Sequence, residues 1–310
     1  MAAVVNFYIA NTDHEWFDFL ANKSDLIEVN FWQPSAKGFH AIGAGELFVF
    51  RLKSPRNKIG GFGILSNSTI LPLQLAWETF GELNGTPNYE AFRLAIQKYR
   101  RDEKVGLTTN IGCRVLVEPV FLPEHRWLDL PSSWSLNVMG GKRYGTEDAE
   151  AYQLWERLLG VGSTLAASAP FGFYEQTARY GEPTLITPRL GQRAFRIAVT
   201  ESYGRQCCVT DGKVLPALDA AHIKPYSDGG LHAKPNGILL RRDIHSIFDA
   251  GFVTVDPEYR FVVSRKVKEV FNNGEEYRRL HGKRIRLPGE QNDWPDRDLL
   301  RWHNTERFTD

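Results

Sequence analysis

Cysteine is scarce in this chain: Cys113, Cys207 and Cys208 are its three thiols in 310 residues. Two of them are adjacent, so a disulfide framework is not expected, and a reducing compartment fits best. No Cys-x-x-Cys occurs, which argues against a structural zinc site of the paired-knuckle kind. Long apolar runs are missing too. None approaches the 18 residues that a bilayer span requires, and the opening "MAAVVNFYIANTDHEW" has no positively charged leader region. A soluble, cytoplasmic protein without a membrane partner is expected. There is no internal repeat, no low-complexity tract and almost no net charge, the formal total being +1.

The distribution of charge says more than its sum. Residues 1–192 hold 18 Lys and Arg against 20 Asp and Glu, a net of −2, whereas residues 193–310 hold 20 against 17, a net of +3. Residues 260–286 concentrate nine basic and three acidic side chains, a density that suits a phosphate backbone. With 42% hydrophobic residues the chain can bury two cores of ordinary size. Short runs rich in Val, Ile, Phe and Tyr predict strands at 4–10, 25–32, 46–52, 58–65 and 112–122. Gly60, Gly61 and Gly63 suggest a bulge or barrel corner. Helices are expected at 73–80, from an N-cap at Asn88 to about residue 100, and at 192–203. The domains are placed at 1–160 and 191–310, joined by a Gly/Pro/Ser-rich linker at 161–190.

The densest chemistry lies in "LDAAHIKPYSDGGLHAKPNGILLRRDIHSIFDAG", residues 218–251. A short strand ending at His222, a Gly/Pro-rich loop containing Asn236, and a helix read over "ILLRRDIHSIFDAG" would converge on one point. His245 and Asp249, four residues apart, share a helix face. A neutral imidazole at His222 can take a proton from water near neutral pH. A divalent cation held by His245 and a carboxylate would stabilise charge developing on a phosphate. Asn236 could hydrogen-bond across the loop and hold the His222 backbone, while Lys224, Arg241 and Arg242 could clamp neighbouring phosphates. His232 and His281 are expected to face solvent, and Cys207 and Cys208 to fill the core.

The pattern "AAHI…NG…LH..FD.G" resembles the HNH nuclease family, in the branch without zinc knuckles. The resemblance implies a ββα-metal fold with His222 as general base, Asn236 as orienting residue and His245 as metal ligand, and Mg²⁺ or Mn²⁺ as cofactor. Ala221 stands where many family members carry a second ligand, which leaves Asp249 or Asp219 to complete the shell. "RLGQRAFRIAVTESYGRQCCVTD", residues 189–211, resembles the lead-in of the same branch.

In the first half, "FWQPSAKGFHAIGAGELFVFRLKSPRNKIGGFGIL", residues 31–65, resembles the PUA-like superfamily that includes EVE domains. Fusions of this kind are modification-dependent restriction endonucleases. The implied whole is an α+β protein: a PUA-like β-barrel with helical insertions that reads 5-methylcytosine or 5-hydroxymethylcytosine, followed by the nuclease. Trp32, Ser35, Lys37, Phe39 and Phe62 are the candidate pocket for a flipped base, whose unstacking aromatic contacts would offset. The expected partners are double-stranded DNA and a second copy of the chain. A non-specific or nicking HNH nuclease, and an inactive HNH-fold DNA-binding protein, are the alternatives.

Overall fold

The computed structural model describes residues 4–100, 104–135, 137–166 and 190–310. The chain divides into two compact units, Met1–Arg189 and Leu190–Asp310. Most of the expected linker, 167–189, lies outside the described residues, and residues 161–166 continue the helix Ala149–Ala166.

The first unit is built on a six-stranded sheet of β1 (Asn6–Thr12), β2 (Glu28–Gln33), β3 (Leu47–Leu52), β4 (Ile59–Pro72), β5 (Asn110–Phe121) and β6 (Gly141–Gly145). Its order is β2-β5-β4-β3-β1-β6. Strands β1 and β3 pair in parallel, and the other neighbours are antiparallel. No ladder joins β2 to β6 among the described residues, so the expected barrel is stated more simply as a mixed α+β sheet. Every residue of β3 is buried, as expected for a strand with neighbours on both sides and both faces covered. Glycine has a clear purpose at Gly61, where a Cβ would lie 2.1 Å from the Val120 carbonyl oxygen. The register shifts beside it, between Phe62 and Ile64, realise the bulge that the glycines announce.

Helix α1 (His14–Ala21) lays Trp16, Phe17 and Leu20 onto this sheet. Helices α2 (Leu73–Phe80) and α3 (Tyr89–Tyr99) follow. The Asn88 side chain accepts from the Ala91 backbone N–H as the N-cap of α3. Helix α4 (Ala149–Ala166) ends the described part of this unit.

In the second unit, helix α5 (Gln192–Ser202) packs on the hairpin of β7 (Leu218–His222) and β8 (Gly237–Arg241), which runs into helix α6 (Arg242–Asp249). The helix read over "ILLRRDIHSIFDAG" therefore begins at Arg242. Ile238, Leu239 and Leu240 are each 0% exposed; a run buried on both faces carries no 3.6-residue rhythm, and it pairs as strand. A second hairpin, β9 (Val253–Val255) and β10 (Phe261–Val263), is followed by helices α7 (Lys266–Phe271), α8 (Glu275–Arg278) and α9 (Arg297–Glu306). Cys207 and Cys208 are buried in this core.

The register sets His222 opposite Gly237. A Cβ on Gly237 would lie 2.4 Å from Val199 Cγ2 and 2.9 Å from the Phe195 ring. Glycine here lets α5 press Phe195 against the end of the hairpin. Phe195 is fully enclosed, so Phe195→Ala is expected to destabilise the second unit by about 3–5 kcal/mol, read as a lower urea midpoint.

Candidate functional site

Three side chains of the β7–β8 hairpin and the helix α6 that follows it define the site. The His222 ring lies flat on Phe195, with centroids 3.9 Å apart and planes 13° from parallel. Its Nε2 is 2.9 Å from His232 Nδ1. Burial, helped by the nearby His232 and His245 imidazoles, lowers its pKa to about 4, against the pull of Asp249. His222 is therefore neutral at any pH near 7.

Asn236 is 1% exposed and acts as a buried strut. Its Oδ1 accepts from the Lys224 backbone N–H, and its Nδ2 donates to the carbonyls of Lys224 and Leu231, each at 2.9 Å. The backbone just after His222 and the far side of its loop are thus tied together through one amide.

His245 on α6 sits between two carboxylates. Its Nδ1 is 3.3 Å from Asp219 Oδ2 and its Nε2 is 3.2 Å from Asp249 Oδ2. Burial opposes the charged ring, but the hydrogen bonds to Asp219 and Asp249 prevail and raise its pKa to about 9. Asp219, bonded also to the Ala220 N–H and 3.4 Å from the Arg196 guanidinium, has a lowered pKa: burial acts against this, and His245 and Arg196 outweigh it.

The trio named as metal ligands, His245, Asp249 and Asp219, does not surround one point. The two nitrogens of an imidazole diverge, so an ion on Nε2 can share Asp249 but not Asp219. Among the described residues no group of three or more His, Cys, Asp or Glu could hold an ion. The pair His245 Nε2 and Asp249 Oδ2 does fit a small hard cation: their 3.2 Å separation is close to that of adjacent ligands lying about 2.1 Å from an octahedral ion. Such an ion takes its remaining oxygens from water and phosphate. Asp219 then has the other task, accepting from Nδ1–H and fixing the ring. Ala221 is 0% exposed and faces the core.

The expected phosphate contacts are spread around this centre. Lys224 Nζ lies 5.3 Å from the Trp302 ring centroid. Arg241 makes a two-pronged pair with Asp243 at 2.9 and 2.5 Å. Arg242 is exposed, and it lines a groove of about 420 Å³ with Arg241, Val214 and Pro216.

His232 corrects the sequence reading. It is half-buried, bonded to His222, and stacked on Tyr226 with centroids 4.9 Å apart. Its signal was the spacing to the "DGG" turn, which returns the chain towards the strand it left. His281 is exposed as expected, though its Nδ1 accepts from the Val263 N–H.

In the first unit a separate cavity of about 480 Å³ is lined by Trp32 and Lys37 of the expected pocket, together with Tyr8, Asp13, Trp16, Phe31, Tyr99 and Arg114. The other expected pocket residues are placed differently. Phe39 packs edge-on to Tyr8 and beneath the Arg114 guanidinium, 4.5 Å away. Ser35 accepts from the Gln33 side chain and, through its carbonyl, from the Gly112 N–H, closing the end of β2. Phe62 is 0% exposed in the sheet core and does not line the cavity. The polar residues that sequence reasoning missed are Asp13, Tyr99 and Lys53: the Asp13 carboxylate accepts from Tyr99 Oη at 2.7 Å and from Lys53 Nζ. No sequence signal joins these three, which arrive from β1–α1, β3 and α3.

Residues 207–256 match the HNH endonuclease family model. The search of curated proteins gives no match. Among solved structures the chain is similar to ASCH from Zymomonas mobilis, at 11% identity and a TM-score of 0.33, covering 48% of this chain and 93% of that one. It is also similar to the modification-dependent TagI restriction endonuclease, at 13% identity and a TM-score of 0.29, covering 84% of this chain and 61% of that one. No helix among the described residues is long and apolar enough to cross a membrane.

The two site histidines tilt stability in opposite directions. The folded-state pKa of His222, about 4, lies below the unfolded value of about 6.5. The unfolded chain therefore takes up a proton first, and stability falls as pH drops from 6.5 to 4. That of His245 lies above it, at about 9, so its contribution is complete below 6.5 and is lost as pH rises through 9. In metal-free protein, His222→Gln should flatten the acid flank and His245→Gln the alkaline flank of a plot of urea-unfolding free energy against pH.

Proposed function

We propose that this chain is a divalent-metal-dependent DNA endonuclease directed by a modified cytosine, 5-methylcytosine or 5-hydroxymethylcytosine, held in the first unit. The observation that carries the reading is the presence of a neutral His222 and a cation-ready His245–Asp249 pair in one hairpin–helix unit, inside the segment that matches an HNH endonuclease.

His222 is the general base. The water O–H bond breaks, its proton passes to the imidazole, and the oxygen bonds to phosphorus as the bond to the leaving sugar oxygen breaks; that oxygen is protonated from solvent. General-base action of this kind contributes roughly 10²–10⁴-fold. Its low pKa keeps the ring unprotonated near pH 7, so a lone pair is present to accept the water proton. Asn236 holds the strand end, and so the base, in place. A bound divalent ion would stabilise negative charge on the phosphate and leaving oxygen; His245 and Asp249 are the side chains to hold it, with Asp219 orienting His245. Lys224, Arg241 and Arg242 are the basic side chains assigned to flanking phosphates.

The cavity of the first unit supports the reader half of the proposal. At about 480 Å³ it has the size of a small-ligand site, and a base turned out of the duplex needs an aromatic face and polar edge contacts. Trp32 offers the face. The Asp13–Tyr99–Lys53 group and Gln33 offer hydrogen-bonding partners. Cleavage of both strands by one compact site per chain calls for two copies, so a homodimer on the duplex is part of the reading.

The test is cleavage of matched unmodified, methylated and hydroxymethylated duplexes with Mg²⁺ or Mn²⁺. Cutting confined to modified duplexes, abolished by chelation, is expected; equal rates on all three would remove the reader role. His222→Ala should lower the rate by about 10²–10⁴-fold while duplex affinity stays unchanged. In the same panel, Trp32→Ala should weaken binding to modified duplex by about 1–3 kcal/mol, with no change in binding to unmodified duplex.

A further inference from the structure

The loop between β7 and β8 delivers a second imidazole to the first, and this contact has a chemical consequence. His222 has one ring nitrogen engaged, Nε2, at 2.9 Å from His232 Nδ1. Its Nδ1 has no hydrogen-bond partner among the described residues. Two neutral imidazoles joined in this way share one hydrogen, and which ring donates decides what is left on the other. If His232 donated, the Nε2 lone pair of His222 would be consumed and its Nδ1 would carry hydrogen, leaving no lone pair to accept a proton. If His222 donates, its Nδ1 lone pair is open.

We infer that His232 is the positioning residue of His222: its Nδ1 accepts the Nε2–H of His222, so that His222 offers its Nδ1 lone pair to water. The choice of donor rests on the nuclease reading above, in which His222 is the base; the geometry fixes the contact between the two rings.

The fold invests several contacts in this one. The His232 ring is parallel to Tyr226 to within 1°, while the His222 ring is fixed by Phe195, which also lies 5.8 Å from the His232 ring; the two imidazole planes meet at 61°. The chain returns from Tyr226 to His232 through Gly229, at φ +83°, and Gly230, where a Cβ would lie 1.9 Å from the Lys224 carbonyl oxygen. Asp228 anchors the turn through Arg307 Nη2 at 2.5 Å, and Asn236 holds the Leu231 carbonyl beside it. Once His222 gains the water proton, its Nε2–H still donates to His232, now as a charge-assisted bond. His245 on α6 adds like charge to that state and Asp249 opposes it.

Two substitutions separate the acceptor from the shape. His232→Phe keeps a flat ring for Tyr226 and loses the acceptor; His232→Asn keeps an acceptor near the Nδ1 position and loses the stack. With both variants folded by thermal midpoint, His232→Phe should lower kcat by about 10–100-fold with KM within twofold, and His232→Asn should recover to within about threefold of the parent. Unchanged kcat in His232→Phe overturns the inference, as does an equal loss in both variants. A two-bond ¹H–¹⁵N correlation at pH 7 tests the tautomer without any cleavage assay. The His222 hydrogen is expected on Nε2 in the parent and distributed over both nitrogens in His232→Phe; hydrogen on Nδ1 in the parent overturns the inference. If the parent protein cuts no duplex, the nuclease reading fails and the tautomer measurement alone decides the role of His232.

Discussion

The antiparallel pairing of His222 with Gly237 is the constraint on which the site depends. It fixes the last residue of β7 opposite a position without a side chain, and so admits Phe195 beneath the imidazole. It also places Asn236 one residue before the pair, where its amide can span both sides of the loop. A register slip of one residue would turn His222 to the opposite face, where the buried Ala221 now packs. Hydrogen bonds worth about 1 kcal/mol each thus control the position of a group whose usefulness depends on fractions of an ångström.

From this placement follows an electrostatic division of labour. Two histidines of one hairpin–helix unit have pKa values moved apart, to about 4 and about 9. The cause is position. His222 at the strand end meets an aromatic face and another imidazole, so burial dominates and the neutral form wins. His245 on α6 meets carboxylates on both ring nitrogens, so the charged form wins although it is also partly buried. Groups whose environments push their pKa values apart are suited to different roles: one to accept a proton, the other to hold positive charge or exchange its proton for a cation.

Much of this was legible because the decisive spacings are short. His245 and Asp249 are one helical turn apart, and α6 keeps them on one face. Asn236 ends the loop that begins after His222, and hairpin closure brings them together. Glycines marked the bulge in β4, and Asn88 marked the start of α3. What escaped depends on contacts remote in sequence or on competition between patterns. "ILLR" looked helical because it runs unbroken into α6, yet burial on both faces makes it strand. Phe62 reads as a pocket aromatic alongside Trp32, Phe39 and the polar Ser35 and Lys37, yet the bulged strand turns it into the core. Asp13, Lys53 and Tyr99 meet across 86 residues of chain, a juxtaposition that β1–β3 pairing creates and no local pattern encodes. His232 was dismissed as a loop residue; only the path of the Gly229–Gly230 turn brings it back to His222.

The His245 environment also bears on how a cation would enter. In the metal-free protein both ring nitrogens face carboxylates at 3.2 and 3.3 Å, and a ring with a pKa of about 9 carries a proton on each nitrogen at neutral pH. A cation shared by Nε2 and Asp249 must displace one of those protons, so ion binding and proton release are linked. The proton on Nδ1 would stay, held by Asp219, and the ring would keep its orientation through such an exchange. On the proposed reading, Asp219 would leave His245 nothing to reorganise on ion binding, and Ala221, packed into the core next to His222, would not be needed as a ligand.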